Sequence, residues 1–246
     1  MAKHPKDPRT IFPDITGDYK ALFGDELVSI ILYGSATGPD FRPGKSDINF
    51  MIVLTEEGIK HLDLAFDAVK KWQKKGVAVP LFLTEEYIET SLDVFPIEYL
   101  SFQHHHEQVF GKAVLRDLKF DPEFLRLQCE REIKGKLLLL REAFIETTGK
   151  AKALKDVIQE AVPALIAIFE ALLHLKEVAV PGKRRNIIRA TGEAFDMNRG
   201  VFEGLLDIKE GTSQYGDEES FTLFKDCLKE MRKLAKTIDS FRVQGG

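Results

Sequence analysis

The spacing of apolar positions changes at about residue 120, and this change divides the chain into two regions. In the first region, short apolar runs at Leu27–Leu32 and Phe50–Leu54 lie between polar turns, as buried strands do. Apolar residues then recur every three or four positions from Ile59 to Trp72, which predicts a helix that ends near Gly76. Strands and a helix in this order indicate an α/β region.

Other segments are predicted to complete this region. A short helix over residues 14–24 precedes the first strand, and Val77–Leu83 is apolar enough to be a third strand. Pro80 lies within that third strand and would place it at an edge or at a bulge. Pro96–Phe102 and Gln108–Phe110 are predicted to add a fourth and a fifth strand, which gives a mixed sheet with helices.

Helical spacing continues through the rest of the chain. Asp121 followed by Pro122 is typical of a helix start, because aspartate caps the first amides and proline needs no partner there. Each long helix has one apolar stripe, and such stripes are buried when helices pack as an antiparallel bundle. The predicted helices cover about residues 122–144, 150–178, 183–195, 198–208 and 217–241.

Length and composition fit this division. The 246 residues are enough for two modest domains, and we predict an α/β domain over residues 1–120 and an all-α helical bundle over residues 121–246. Hydrophobic residues make up 44% of the chain and charged residues 30%, as in ordinary globular proteins. The net charge of −4 and the lack of an aromatic–basic pattern argue against a nucleic-acid partner.

The sequence also indicates a compartment. No apolar run approaches the roughly 20 residues that span a membrane, and the amino terminus lacks the apolar core of a secretory signal. We therefore expect a cytoplasmic protein with no membrane partner. The two cysteines, Cys129 and Cys227, lie in helical patterns and are expected to be buried, reduced thiols.

Candidate chemistry is concentrated around the turn between the first two strands. Tyr33–Ser35 ends the first strand, and Ser46–Asn49 leads into the second after a loop rich in proline and glycine. Side chains two residues apart on a strand point to the same face, so Asp47 and Asn49 are predicted to project together. Beside them, Gly34 would let the backbone approach a phosphate closely. The pattern indicates a compact phosphate-and-metal site.

These segments resemble the signature of the nucleotidyltransferase superfamily, in which Gly-Ser is followed by Asp-x-Asp. The loop that runs into Ser46–Ile48, and the order of sheet module and helical bundle, are similar to kanamycin nucleotidyltransferases and streptomycin–spectinomycin adenylyltransferases. The resemblance implies the fold that this superfamily shares with DNA polymerase beta. It also implies that a nucleoside triphosphate is bound by Gly34, Ser35, Lys45 and Ser46.

The resemblance further implies magnesium as cofactor, with Asp47 and Asn49 as its ligands. Such enzymes hold two Mg²⁺ ions roughly 4 Å apart. Their ligands are two acids on one strand and usually a third acid on the strand after the helix. Here Asn49 replaces one acid, and Val77–Leu83, where the third is expected, contains none. Glu98 and Asp93 are candidate substitutes; Glu98 could instead be a solvent-facing residue of an edge strand, and Asp93 a helix cap.

Two hypotheses of function follow. In one, the chain keeps the fold and a nucleotide-binding, anion-binding or partner-binding role, with weakened or lost catalysis. In the other, it is an active enzyme that moves a nucleoside monophosphate to an aminoglycoside-like small molecule or to a protein. Asp47, Asn49 and Glu98 would then form the catalytic set, and Glu130, Glu132 or Glu160 would be the base.

A run of three histidines, His104–His106, admits two interpretations. It could contribute metal ligands, but alternate residues of a strand point to opposite faces, so at most two of the rings share a face. No third ligand at a matching spacing accompanies them, and a polar strand end is the preferred interpretation.

Overall fold

The computed structural model describes residues 4–39 and 41–242, which form two compact units. The first unit comprises the chain up to Asp93 together with Tyr99–Lys119. The second comprises Val94–Glu98 and the chain from Phe120 onward.

The first unit is built on a mixed sheet with the strand order β3-β2-β1-β4. Strand β1 runs antiparallel to both β2 and β4, whereas β2 and β3 are parallel. The predicted mixed sheet, with its first two strands joined across the Gly34 turn, is therefore confirmed. The strands are β1 (Leu27–Tyr33), β2 (Asn49–Leu54), β3 (Leu81–Thr84) and β4 (His106–Gly111).

Helices cover both faces of this sheet because its central strands are apolar on both sides. One face of β1 and β2 packs with Tyr19 of the first helix and Trp72 of the second in a continuous core. On the opposite face, Tyr33 packs edge-on against Phe102, with ring centroids 4.8 Å apart. The helices are α1 (Phe12–Phe23), α2 (Phe66–Gln73, after a 3₁₀ segment Gly58–Ala65), α3 (Glu85–Thr90) and α4 (Pro96–His104).

The predicted strand Pro96–Phe102 is wrong, because this segment begins helix α4. Proline is favoured at the first helical position, and the Ile97 amide, which lacks a helical partner there, donates to Gln128 Oε1 at 2.7 Å. Apolar residues surround this short helix, so their spacing does not distinguish helix from strand.

The predicted third strand begins later than expected. Val77 forms only an isolated bridge with Ile48, and the regular ladder with β2 starts at Leu81. The intervening Pro80 has no amide hydrogen to donate, which accounts for the interruption. As expected from this proline, β3 lies at an edge of the sheet.

The secondary structure in the described part of the second unit consists of helices, as predicted for the chain after residue 121. The Asp121 carboxylate caps the first long helix by accepting from the Glu123 amide at 2.8 Å. The last helix begins at Asp217 itself, and Gly216 occupies the cap position. Both cysteines are buried and free, as expected. The helices are α5 (Pro122–Glu146), α6 (Ala151–Leu175), α7 (Arg184–Phe195), α8 (Arg199–Glu210) and α9 (Asp217–Asp239).

Helix α6 has the length and apolar composition that could cross a membrane, and 56% of its most apolar window is buried within the protein. A central helix of a bundle meets the same criterion, since neighbours cover much of its circumference. Helices α5, α7, α8 and α9 all contact it.

Gly111→Ala should destabilise the first unit more than Gly44→Ala. Both glycines have positive φ, +78° and +77°, so a side chain at either costs about 1–2 kcal/mol. A Cβ at Gly111 would also collide with the Val28 carbonyl oxygen, whereas one at Gly44 meets open space. We expect an additional loss of roughly 1–3 kcal/mol for Gly111→Ala, measured by urea unfolding with Trp72 fluorescence. Equal losses would contradict the described β1–β4 packing.

Tyr19→Phe should stabilise the first unit, because among the described residues the buried Tyr19 hydroxyl has no hydrogen-bond partner. We expect a gain of about 1 kcal/mol at neutral pH. Burial raises the pKa of Tyr19 from 10.0 to about 12, so the folded state holds this proton more tightly than the unfolded state. The wild type therefore loses stability as the pH rises from 10 to 12, and the advantage of the variant grows over that range.

The matched control is Tyr99→Phe, since the Tyr99 hydroxyl has a hydrogen bond with Ser91. This variant should lose stability in the same urea titration at neutral pH. A loss for Tyr19→Phe of the same size would show that the Tyr19 hydroxyl has a partner in solution.

Candidate functional site

Asp47 and Asn49 lie on one face of the extended chain that enters β2. The residue between them, Ile48, is 1% exposed and belongs to the core on the other face. Its backbone is held from both sides: its amide donates to the Gly76 carbonyl at 3.2 Å, and its carbonyl accepts from the Ala78 amide at 3.0 Å. Because neighbouring side chains on extended backbone point to opposite faces, Asp47 and Asn49 are directed away from that core.

Asn49 lies directly beside the Gly34 turn. Tyr33, the last residue of β1, pairs with Asn49, the first residue of β2. A Cβ built on Gly34 would lie 3.6 Å from Asn49 Nδ2, so the amide borders the space that the missing side chain leaves. Asn49 is half-buried and Asp47 is exposed. The turn, the amide and the carboxylate therefore belong to the same end of the β1–β2 pair.

The Gly34 turn is held by contacts that sequence reasoning missed. Gly34 has a φ of +77°, and its amide donates to the His105 carbonyl at 3.0 Å. The Thr37 hydroxyl donates to the Gly34 carbonyl at 2.8 Å and closes the 3₁₀ turn Gly34–Thr37. The position of Thr37, three residues after Gly34, could have indicated this hydroxyl–carbonyl hydrogen bond from the sequence. Ser35 is half-buried, and its hydroxyl makes no hydrogen bond to the described residues.

The remaining predicted nucleotide-binding residues, Lys45 and Ser46, lie on the loop before β2. Ser46 is used within the loop: its amide donates to the Arg42 carbonyl at 2.8 Å, and its Oγ accepts from the Arg42 amide at 3.1 Å. The Lys45 amide also donates to the Arg42 carbonyl, at 3.0 Å, and its side chain is exposed. The Ser46 hydroxyl thus shapes the loop, and the Lys45 ammonium forms no ion pair with the described residues.

The donor atoms at this end of the sheet do not fit a pair of magnesium ions. Asp47 supplies one carboxylate and Asn49 a neutral amide, while Val77–Pro80, which approaches β3, contains no acid. Within residues 4–39 and 41–242, no three His, Cys, Asp or Glu side chains are grouped to hold a metal. Two adjacent divalent ions require more carboxylate oxygens than this set provides.

Glu98 lies on helix α4, in the segment that belongs to the helical unit, and not on a strand. Its Oε2 accepts from Gln128 Nε2 at 2.7 Å, while Gln128 Oε1 accepts from the Ile97 amide. Gln128 is 4% exposed, so both ends of its amide are paired in the core. Asp93, the other candidate, lies exposed in the turn before α4.

The candidate bases in the helical unit have different surroundings. Glu130 forms ion pairs with Arg126 and Lys134. Glu132 is half-buried, and Glu160 is exposed on α6.

The three histidines do not share one strand. His104 ends α4, His105 lies in a bend, and His106 begins β4 with its Nδ1 at 3.0 Å from the Gln103 carbonyl. His106 therefore agrees with the expected strand end, and His104 does not.

Comparison with known proteins supports the fold. No protein-family model and no curated protein matches the sequence. The structure is similar to that of a spectinomycin adenyltransferase from Enterococcus faecialis, which was solved with ATP and spectinomycin. The TM-score is 0.50 and the sequence identity is 9%, over 89% of this chain and 99% of that chain. The chain has a nucleotidyltransferase-like α+β fold, as the resemblance of its Gly34–Asn49 segment implied.

Proposed function

We propose that this protein binds a nucleotide, or another anion that carries phosphates, at the Gly34–Ser35 turn, with weak or no catalytic transfer. The observation that carries the proposal is the position of Asn49. Its amide borders Gly34 on the face that it shares with Asp47, where the superfamily signature has a second acid. The Gly34 turn, which would let a phosphate approach the backbone, is therefore present. The negative charge available to a metal is smaller than in the superfamily signature, because Asn49 is neutral.

The chemistry of an amide supports binding rather than transfer. An aspartate offers only acceptor oxygens, whereas asparagine also offers N–H donors that can bond to a phosphate oxygen. Replacing the acid also removes one negative charge that would repel a phosphate in the absence of metal. The Ser35 hydroxyl, which has no partner among the described residues, and the exposed Lys45 would supply further donors.

An active enzyme is the second candidate function. The fold shared with an adenyltransferase solved with ATP and spectinomycin favours a nucleoside triphosphate as donor. The acceptor would be an aminoglycoside-like small molecule or a protein. This function needs carboxylates beyond Asp47, and Glu98 is the candidate substitute.

Nucleotide binding should persist without divalent metal. In calorimetric titrations with ATP, the other nucleoside triphosphates and inorganic tripolyphosphate, we expect binding in EDTA that changes less than about tenfold when Mg²⁺ is added. Ser35→Ala and Lys45→Ala should each weaken binding by roughly tenfold, since each removes a donor to a charged group.

Lys70→Ala is the matched control, because it removes the same charge from an exposed position on α2, which packs on the other face of the sheet. It should leave binding unchanged. Failure of every triphosphate and of tripolyphosphate to bind at millimolar concentration would exclude the proposed function.

Magnesium-dependent transfer should be weak or undetectable, and Asn49→Asp should not restore it. This substitution should tighten Mg²⁺ binding by about tenfold. Turnover should stay low because the approach to β3 still has no acid. The measurement is release of pyrophosphate from each nucleoside triphosphate, with aminoglycosides and proteins as acceptors.

Robust turnover by the wild type that Asp47→Ala abolishes would favour the second candidate instead. Glu98→Gln then tests the substitute carboxylate, because glutamine keeps one oxygen acceptor for Gln128 and removes the negative charge.

A further inference from the structure

Three side chains form a row across the sheet at the end where the Gly34 turn lies. His106, the first residue of β4, pairs with Tyr33 of β1, and Tyr33 pairs with Asn49 of β2. Directly paired residues on antiparallel strands place their side chains on the same face of the sheet. His106 therefore shares a face with Asn49, the residue on which the proposed function rests.

The residues next to this row show which face it is. Leu32 and Phe50, which adjoin the row on β1 and β2, both belong to the core. Glu107, which adjoins the row on β4, pairs with Leu32, and its Oε2 lies 2.8 Å from Arg9 Nη2 just before α1. Because neighbouring side chains on a strand point to opposite faces, the imidazole of His106 is directed away from that core.

The Gly34 turn lies between the two polar members of the row. Gly34 follows Tyr33 directly, and its amide donates to the carbonyl of His105, the neighbour of His106, at 3.0 Å. A Cβ built on Gly34 would lie 3.6 Å from Asn49 Nδ2 on the other side. Neighbouring strands are about 4.8 Å apart, so a phosphate at the turn would have the amide on one side and the imidazole on the other.

The imidazole of His106 is already oriented by the protein. Its Nδ1 lies 3.0 Å from the Gln103 carbonyl, and Nδ1 carries the proton of this hydrogen bond because a carbonyl oxygen only accepts. The ring is half-buried, and Nε2 has no hydrogen-bond partner among the described residues. A histidine held through one nitrogen presents the other nitrogen in a defined direction.

We propose that His106 Nε2 donates a hydrogen bond to the phosphate bound at the Gly34 turn, opposite the amide of Asn49. This role rests on the proposed function of the turn. Since Nδ1 already carries a proton, Nε2 carries one only in the imidazolium form, so the donor brings a positive charge with it. That charge compensates part of the charge of a polyphosphate at a site whose donor atoms do not fit a pair of magnesium ions.

The surrounding groups leave this role to His106. Burial raises the pKa of the Tyr33 phenol, so the middle of the row stays neutral. The 3₁₀ turn Gly34–Thr37 contains no titratable side chain, and helix α1 packs on the other face of the sheet, where its Lys20 lies over the Phe110 ring. A bound phosphate adds negative charge beside the ring and favours the charged imidazole. The other titratable side chains beside the row are those of Asp47, His104 and His105.

Calorimetric titrations with inorganic tripolyphosphate in EDTA, at pH 5.5 and at pH 8, test this contact. An ordinary imidazole gains its second proton between these values. His106→Asn keeps an N–H near the position of Nδ1 and removes Nε2. We expect this variant to bind roughly tenfold more weakly than the wild type at pH 5.5 and about equally at pH 8. Comparison at the same pH cancels the titration of the ligand itself.

His61→Asn is the matched control, because His61 is exposed in the 3₁₀ segment that follows the far end of β2. It should match the wild type at both pH values. Equal weakening by His106→Asn at both pH values would show a structural role only, and unchanged binding would show no role. Either result overturns the assignment of His106 and leaves the proposed function standing, whereas a wild type that binds no tripolyphosphate at either pH removes both.

The imidazole resonances give a second readout that a structural role would not change. In proton NMR spectra at pH 5.5, the His106 ring signal, identified by its loss in His106→Asn, should shift when tripolyphosphate is added. The His61 signal, identified in the same way, should stay in place. A His106 signal that does not move while tripolyphosphate binds would contradict the hydrogen bond.

Discussion

The antiparallel pairing of β1 with β2 is the constraint on which the candidate site depends. It places Tyr33 opposite Asn49, which brings the amide of Asn49 next to Gly34. The register is firmly set, since a shift by one residue would turn the apolar side chains of β2 out of the core. Burial of the sheet thus positions the polar residues at its end, although none of them contributes to that core.

The same arrangement explains why the amide at position 49 is central to the proposed function. Side chains held together at a sheet end act through their summed charge, and Asn49 leaves Asp47 as the carboxylate of this strand segment. Compared with a carboxylate, an amide attracts a divalent ion less and offers a hydrogen-bond donor at the same point. The proposed binding of phosphate without a pair of metal ions rests on this combination of hydrogen-bond donors and a single carboxylate.

The helical unit is organised around α6, whose apolar composition matches its central position. Helix α5 differs, because it has a buried side against its neighbours and an exposed apolar side as well. Exposed apolar side chains scattered singly are ordinary on protein surfaces.

The sequence by itself determined those features that depend on neighbouring residues. The apolar runs of β1 and β2 and the cap at Asp121 follow from local spacing, and the structure has them. Tertiary structure decided the features that need distant partners. Pro96 begins a helix that Gln128 caps from α5, and the Gly34 turn is fixed by the carbonyl of His105. Local patterns do not encode such contacts, because both partners acquire their positions only when the chain has folded.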